Sequence, residues 1–272
     1  MPNKLGAMPP KIDVRDYKYQ PAGVTQVEFP REFANWVPAV KNQGQVNSCV
    51  AHVAAELEEF FNHKERGTYE KLSPGYIYGC RYEYKGEGMY LRDALKTLKD
   101  KGVCELTELP YNKEVPEMIN IFNQKKEYET DEPNKITTYF SIATNDVNKI
   151  KHSLMNCGPI MASVPWYEDF EVVEGTINCP SNFTTPFGYH AILIYGWNEK
   201  GWLMQNSWGT NWGNNGRAVY PYNYPLSETW GITDTDKNLP DIKTTKQNKF
   251  TRACSKTTNV MLNLFKIITK KI

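Results

Sequence analysis

Apolar residues recur at helical spacing along Val50–Phe61. There Val50, Val53, Ala54, Leu57, Phe60 and Phe61 repeat, with Glu56, Glu58 and Glu59 between them. The pattern predicts a helix, and Asn47 or Ser48 is placed to cap it. Cys49 then falls in the first turn, where unpaired N–H groups and the helix dipole favour an anion. A second helix is predicted over Leu91–Lys101, ended by Gly102, and a third over Asp146–Asn156, closed by Gly158-Pro159. From Ile160 the period changes. Residues 160–164, 189–195, 201–206 and 216–220 read as strands divided by Gly, Asn and Pro. Helices first and strands second predict an α+β fold of two lobes, one mainly helical over about 41–156 and one of strands over about 157–234.

The flanks lack this patterning. Residues 1–30 are Pro-rich and aperiodic, and read as an extended arm lying on the surface of a domain that spans 31–234. Residues 112–135, rich in charge and carrying Pro116 and Pro133, read as a surface excursion. Residues 235–272 hold nine Lys/Arg against two Asp, a local charge of +7 that leaves −6 for the rest. This basic tail ends in Val260–Ile272, which mixes apolar residues with lysines. Such a segment packs on its own domain, meets a partner, stays unstructured or lies on an anionic membrane surface.

Length and composition fit one large domain or two lobes sharing an interface, since 272 residues bury a sizeable core. Hydrophobic residues make up 40% and aromatics 13%, which excludes a disordered or collagen-like chain. The net charge of +1 supplies no global field for nucleic acid. Met1–Pro30 has no apolar run of the roughly 7–15 residues a signal peptide needs. No stretch approaches the ~18 apolar residues of a membrane span, so as given the chain reads as cytoplasmic.

Six cysteines (49, 80, 104, 157, 179 and 254) are sparse for a disulfide scaffold, and none forms a C-x-x-C metal pair. Cys80 and Cys104 are open to either reading, paired or buried as thiols. Cysteine attacks as thiolate, which needs a helix N-terminus or a nearby imidazolium to lower its pKa. The four histidines are His52, His63, His152 and His190. His52 reads as a residue of the helix face following Cys49. His190 opens a strongly apolar strand, and Asn206 follows 16 residues later on another; its amide oxygen can accept the ring N–H and fix the tautomer.

Three blocks together resemble the papain-like cysteine peptidases. Asn42-Gln-Gly-Gln-Val-Asn-Ser-Cys49 looks like that family's nucleophile loop, Tyr189-His190-Ala191 its His-Ala strand, and Gln205-Asn-Ser-Trp-Gly-Thr-Asn-Trp-Gly213 its Asn-Ser-Trp-Gly-x-x-Trp-Gly block. They stand in the family's order, the His 141 and the Asn 157 residues after Cys49, close to the usual spacing of about 130–150. The resemblance covers roughly residues 30–234 and implies a papain-like two-lobed fold, with an antiparallel, β-barrel-like C-terminal lobe and the active-site cleft between the lobes. It implies Cys49 as nucleophile, His190 as acid/base, Asn206 as orienter and Gln43 as oxyanion donor. Trp208 matches the indole that shields the His–Asn bond, and Gly88-Met89-Tyr90 the Gly-rich strand that pairs with substrate backbone. Met89 and Ser163 match the pocket for the second residue before the cut. Val46, Asn47 and Val50 depart from the family's common Cys, Gly and Trp, so one family disulfide is expected to be missing. No long propeptide precedes Gln43, as in pro-less microbial or viral members, and the arm is the candidate restraint.

The function so implied is a cysteine endopeptidase acting on peptide or protein substrates, monomeric and without cofactor or metal. Two alternatives use the same residues: a transpeptidase that passes the acyl group to an amine, and a binding protein that has kept the fold without the chemistry. The Asn182-Phe-Thr184 triplet satisfies the glycosylation pattern, which arises often by chance.

Overall fold

The computed structural model describes residues 4–11, 13–21, 33, 36–67, 69–81, 87–111, 134–178 and 185–233. These belong to the first of two units, residues 1–239. The basic tail, the Asn182 triplet and all but two residues of the 112–135 excursion lie outside the described residues.

The helices come first: α1 (Cys49–Arg66), α2 (Pro74–Gly79) and α3 (Leu91–Asp100), with α4 (Val147–Cys157) after the first strand. The strands are β1 (Thr138–Ile142), β2 (Ile160–Trp166), β3 (Glu171–Val173), β4 (Thr176–Asn178), β5 (Gly188–Trp197), β6 (Gly201–Gln205), β7 (Arg217–Pro221) and β8 (Glu228–Thr233). They form one sheet in the order β1-β8-β2-β5-β6-β7-β4-β3, antiparallel except where Thr176 of β4 meets Val219 of β7. The α+β expectation holds. The sequence pattern misses α2, which is too short for a helical period, and β1, β3, β4 and β8, whose apolar residues do not form uninterrupted runs. Ser73 starts α2 by accepting the Tyr76 N–H at 3.1 Å.

One face of the sheet builds a core from Ala162, Val164, Ile192, Ile194, Trp197, Trp202, Met204 and Tyr220, closed by Ile150 and Leu154 of α4. The helical lobe is organised by α1, which packs on α2, α3, β5 and β2. Because neighbours surround it, its polar residues are buried as well: Glu56, Glu58 and Glu59 are as inaccessible as Leu57 and Phe60. Glu59 is satisfied by Lys41 at 2.6 Å and by the Leu72 N–H at 2.7 Å. Burial pushes its carboxyl up from the usual range, and Lys41 opposes the shift. Ser48 takes the cap position of α1, but its side chain makes no capping bond. Its hydroxyl is engaged instead by Tyr111, at 2.7 Å, and by the ring of His52. His52 is therefore a buried structural residue, packed edge-on against Tyr111.

The arm departs from its expected place on the surface. Residues 4–8 enter the groove between the helical lobe and the sheet: Ala7 pairs with Met89 on one side and Tyr189 on the other. Beyond the groove Asp13 and Asp16 meet Arg92 of α3, at 3.0 and 2.8 Å. Tyr17 and Tyr19 then exchange backbone hydrogen bonds with Ser141 of β1, and Tyr19 stacks on Phe140.

The Lys41–Glu59 pair generates a stability prediction. Lys41→Met leaves a buried carboxylate without its cation and is expected to cost about 3 kcal/mol. Adding Glu59→Gln is expected to recover part of that loss. Urea unfolding of the single and double variants checks both; a single variant as stable as the parent would contradict the assignment.

Candidate active site

Packing of α1 on β5 brings the first turn of the helix against the start of the strand. Cys49 is fully buried there, and its Sγ accepts the N–H of Ala191 at 3.3 Å. His190 precedes Ala191 on the same strand. Its Nε2 lies 2.7 Å from Asn206 Oδ1. The orientation of that amide follows from its neighbours. Oδ1 also accepts the Ser207 N–H at 2.7 Å, and a flipped amide would set two donors against each other. Nε2 therefore carries the proton in neutral His190, and Nδ1, which has no hydrogen-bond partner, is the basic nitrogen. Asn206 sits just past the end of β6 rather than within a strand as its pattern suggests.

Gln43 is fixed by the same logic. Its Oε1 accepts from Ser207 Oγ at 2.6 Å, while Nε2 faces the carbonyl oxygens of Val46, Lys4 and Leu5 at 2.9, 3.0 and 3.1 Å. The last two belong to the arm. Trp208 lies over His190 with ring centroids 4.6 Å apart, and its Nε1 also donates to the Lys4 carbonyl, at 2.9 Å. Trp166, at the end of β2, closes the other edge of the imidazole at 5.1 Å and touches Trp208 and Trp212. Sequence reasoning missed Trp166, which lies two residues beyond the strand expected over 160–164.

Gly88 and Met89 form the opposite wall. The Met8 N–H donates to Met89 O and the Met89 N–H to Gly6 O, both at 2.9 Å, so the arm runs parallel to this wall. The close approach depends on missing side chains. A Cβ on Gly88 would lie 3.0 Å from Gly6 O, and one on Gly6, at φ +143°, only 2.2 Å from Asn47 O. Ser163 stands on β2 opposite Ala191, its Oγ buried and without a partner. The structure thus gathers Cys49, His190, Asn206, Gln43, Trp208, Gly88, Met89 and Ser163 around one groove. Cys80 and Cys104 are both buried. Among the described residues no cluster of ligating side chains suited to a metal ion occurs.

A family model described as "Papain family cysteine protease" matches residues 25–232. The chain belongs to the papain family of cysteine proteases. It is 28% identical over 206 residues to a peptidase C1-like protein of Acanthamoeba polyphaga mimivirus, covering 69% of this chain and 65% of that protein. It is 29% identical over 189 residues to cathepsin L of Sarcophaga peregrina, covering 66% and 54%. The chain thus spans less than two thirds of these relatives' length. Among solved structures, xylellain, a cysteine protease from Xylella fastidiosa, superposes with a TM-score of 0.74 at 25% identity, covering 85% of this chain and 96% of that one. Bromelain from Ananas comosus, at 21% identity and a TM-score of 0.63, shares the fold.

The electrostatics are those of a covered papain-family centre. Burial pushes the Cys49 thiol up to about 12, against backbone N–H groups that include that of Ala7 of the arm. Burial also pulls His190 down to about 4, with Asn206 opposing. Under the arm the pair is therefore neutral thiol and neutral imidazole. In the intact chain the His190 imidazole is accordingly expected to stay neutral from pH 8 down to about pH 5, read from its ring resonances by NMR. A His190 ring that is protonated at pH 7 would show an ion pair persisting beneath the arm.

Proposed function

We propose that this chain is a cysteine endopeptidase whose own N-terminal arm keeps the groove closed. The observation that carries the reading is the double donation to Lys4 O: Gln43 Nε2 and Trp208 Nε1 converge on a peptide carbonyl beside a cysteine at a helix N-terminus. Donors aimed at a carbonyl in a dry groove are what an acyl-transfer site needs, each worth about 3 kcal/mol when it meets a developing oxyanion.

In the open enzyme His190 Nδ1 takes the Cys49 proton, and the thiolate attacks the scissile carbonyl carbon. The resulting oxyanion is held by the Gln43 amide and the Cys49 backbone N–H. Collapse breaks the C–N bond as His190 returns its proton to the leaving amine, and Cys49 is left as a thioester. His190 then deprotonates a water that attacks the thioester carbonyl, releasing the acid and restoring the thiol. Asn206 keeps Nδ1 turned to this task, while Trp208 and Trp166 shelter the Asn206–His190 bond from water, which would compete for it.

Cleavage within a chain rather than at its end is favoured by the arm's own path. It passes Trp208, crosses above Cys49, leaves past Met89 and continues to β1, so the groove accepts a polypeptide running through it. The arm is also tied to both walls beside Cys49: the Ala7 N–H donates to Tyr189 O at 3.2 Å and the Met8 N–H to Met89 O at 2.9 Å.

Gly6→Val tests the reading in the full-length chain. A side chain there collides with the Asn47 carbonyl, so the arm cannot seat. Hydrolysis of an internally quenched peptide is expected to rise at least about tenfold, the factor for each ~1.4 kcal/mol removed from docking. The double variant Gly6→Val/Cys49→Ala is expected to be silent. Turnover unchanged by Gly6→Val, or surviving the loss of Cys49, would refute the proposal.

A further inference from the structure

The side-chain amide of Gln43 and the backbone N–H of Cys49 come from opposite ends of one loop. Gln43 opens it, and Cys49 closes it as the first residue of α1. Between them Gly44-Gln-Val-Asn-Ser48 runs as turns and bends, with Gly44 at φ +61°. The stretch contains no cysteine, so no disulfide ties it. Its internal bonds are short in range: the Ser48 N–H donates to Val46 O at 2.8 Å, and the Val46 N–H reaches Gln43 O only at 3.4 Å. On the sheet side the loop is anchored by Ser207, whose carbonyl accepts the Gln43 N–H at 2.8 Å. A fixed separation of the two donors needs a second anchor, from the helical lobe.

Tyr111 supplies it. Its hydroxyl lies 2.8 Å from Gln43 O and 2.7 Å from Ser48 Oγ, so a single atom bridges both ends of the loop. Which group donates follows from what each atom can do. A carbonyl oxygen only accepts, so the one phenolic proton goes to Gln43 O, and the Ser48 hydroxyl must donate to Tyr111. The same rule places a proton on His52 Nδ1, which faces Ser48 O at 3.0 Å. Burial pulls His52 down to about 3, so the ring stays neutral beneath this chain of bonds. Tyr111 is itself held firmly. Leu109, two residues earlier, is buried and accepts the Ser73 hydroxyl on its carbonyl at 2.7 Å. The phenol ring packs edge-on against His52, with centroids 4.5 Å apart.

We propose that Tyr111 is a positioning residue for acyl transfer, its hydroxyl clamping Gln43 to Ser48 so that the Gln43 amide and the Cys49 N–H stay aimed at one oxyanion. The assignment rests on the peptidase reading and names the residue that holds its donors in register. Tyr111 acts through Gln43 and makes no bond to the reacting carbonyl. Stabilisation of an oxyanion depends on donors already in place at about 2.7–3.1 Å, so a small drift of the loop costs rate without weakening the hold on substrate. Loss of the hydroxyl releases both ends at once. Gln43 O keeps only the long contact from Val46, and the Ser48 hydroxyl loses its acceptor.

The test compares full-length Gly6→Val protein with and without Tyr111→Phe, which removes the hydroxyl and keeps the ring. For an internally quenched peptide, kcat is expected to fall about tenfold with KM changed less than about twofold. Iodoacetamide is the control: the Cys49 thiolate displaces iodide from a methylene carbon, forming an S–C bond as the C–I bond breaks, and no oxyanion develops. Its rate is expected to stay within about twofold of the parent's. In the Gly6→Val/Gln43→Ala background, Tyr111→Phe is expected to lower kcat by less than about twofold, because no amide remains to be aimed. A purely structural loss would slow alkylation as well and would persist in full without Gln43. Either of those results, or a kcat untouched by Tyr111→Phe, overturns the role of Tyr111. If that variant fails to fold, Ser48→Ala decides: a fall in kcat of at least about threefold with alkylation unchanged supports the clamp, and an unchanged kcat overturns it. No turnover by Gly6→Val protein itself, while iodoacetamide still reaches Cys49, would instead count against the peptidase reading and remove the role with it.

Discussion

The seating of the N-terminus of α1 against β5 is the contact on which the site depends. It brings a cysteine from the helical lobe to a histidine from the sheet, residues 141 positions apart in the chain. The price is a helix buried on all sides, whose glutamates cannot reach water. Glu59 is paired with Lys41, and burial raises Glu56 to about 8, so that it holds its proton at neutral pH. The polar interior of α1 follows from placing it at the centre of the lobe.

Ser207 has a similar role at the other end of the site. Its backbone N–H orients the amide of Asn206, and its hydroxyl orients that of Gln43. Two side chains with opposite tasks, one accepting from a histidine and one donating to a carbonyl, are thereby held by one residue. The arm exploits that order, since its carbonyls take the place at Gln43 and Trp208 that a substrate peptide would need. The covered site is dry enough to keep the cysteine and histidine uncharged.

Much of this was legible in the sequence, for identifiable reasons. The helix after Cys49 and the strand after His190 are long and strongly patterned, and the blocks around Cys49, His190 and Asn206 are specific enough to name the family. The burial of Glu56, Glu58 and Glu59 was not legible, because local periodicity does not report how many neighbours surround a helix. Nor was the path of residues 4–8, which is set by pairing with Met89 and Tyr189, far away in sequence.

The central claim is that peptide chemistry passes through an acyl group on Cys49 once the arm has left the groove. The direct measurement is mass spectrometry of full-length Gly6→Val protein, quenched in acid during reaction with a peptide ester. The account predicts an acyl adduct on Cys49 that forms and decays during turnover and does not accumulate in the added background of His190→Ala. Ester hydrolysis with no adduct at Cys49, or an adduct formed equally without His190, would contradict it.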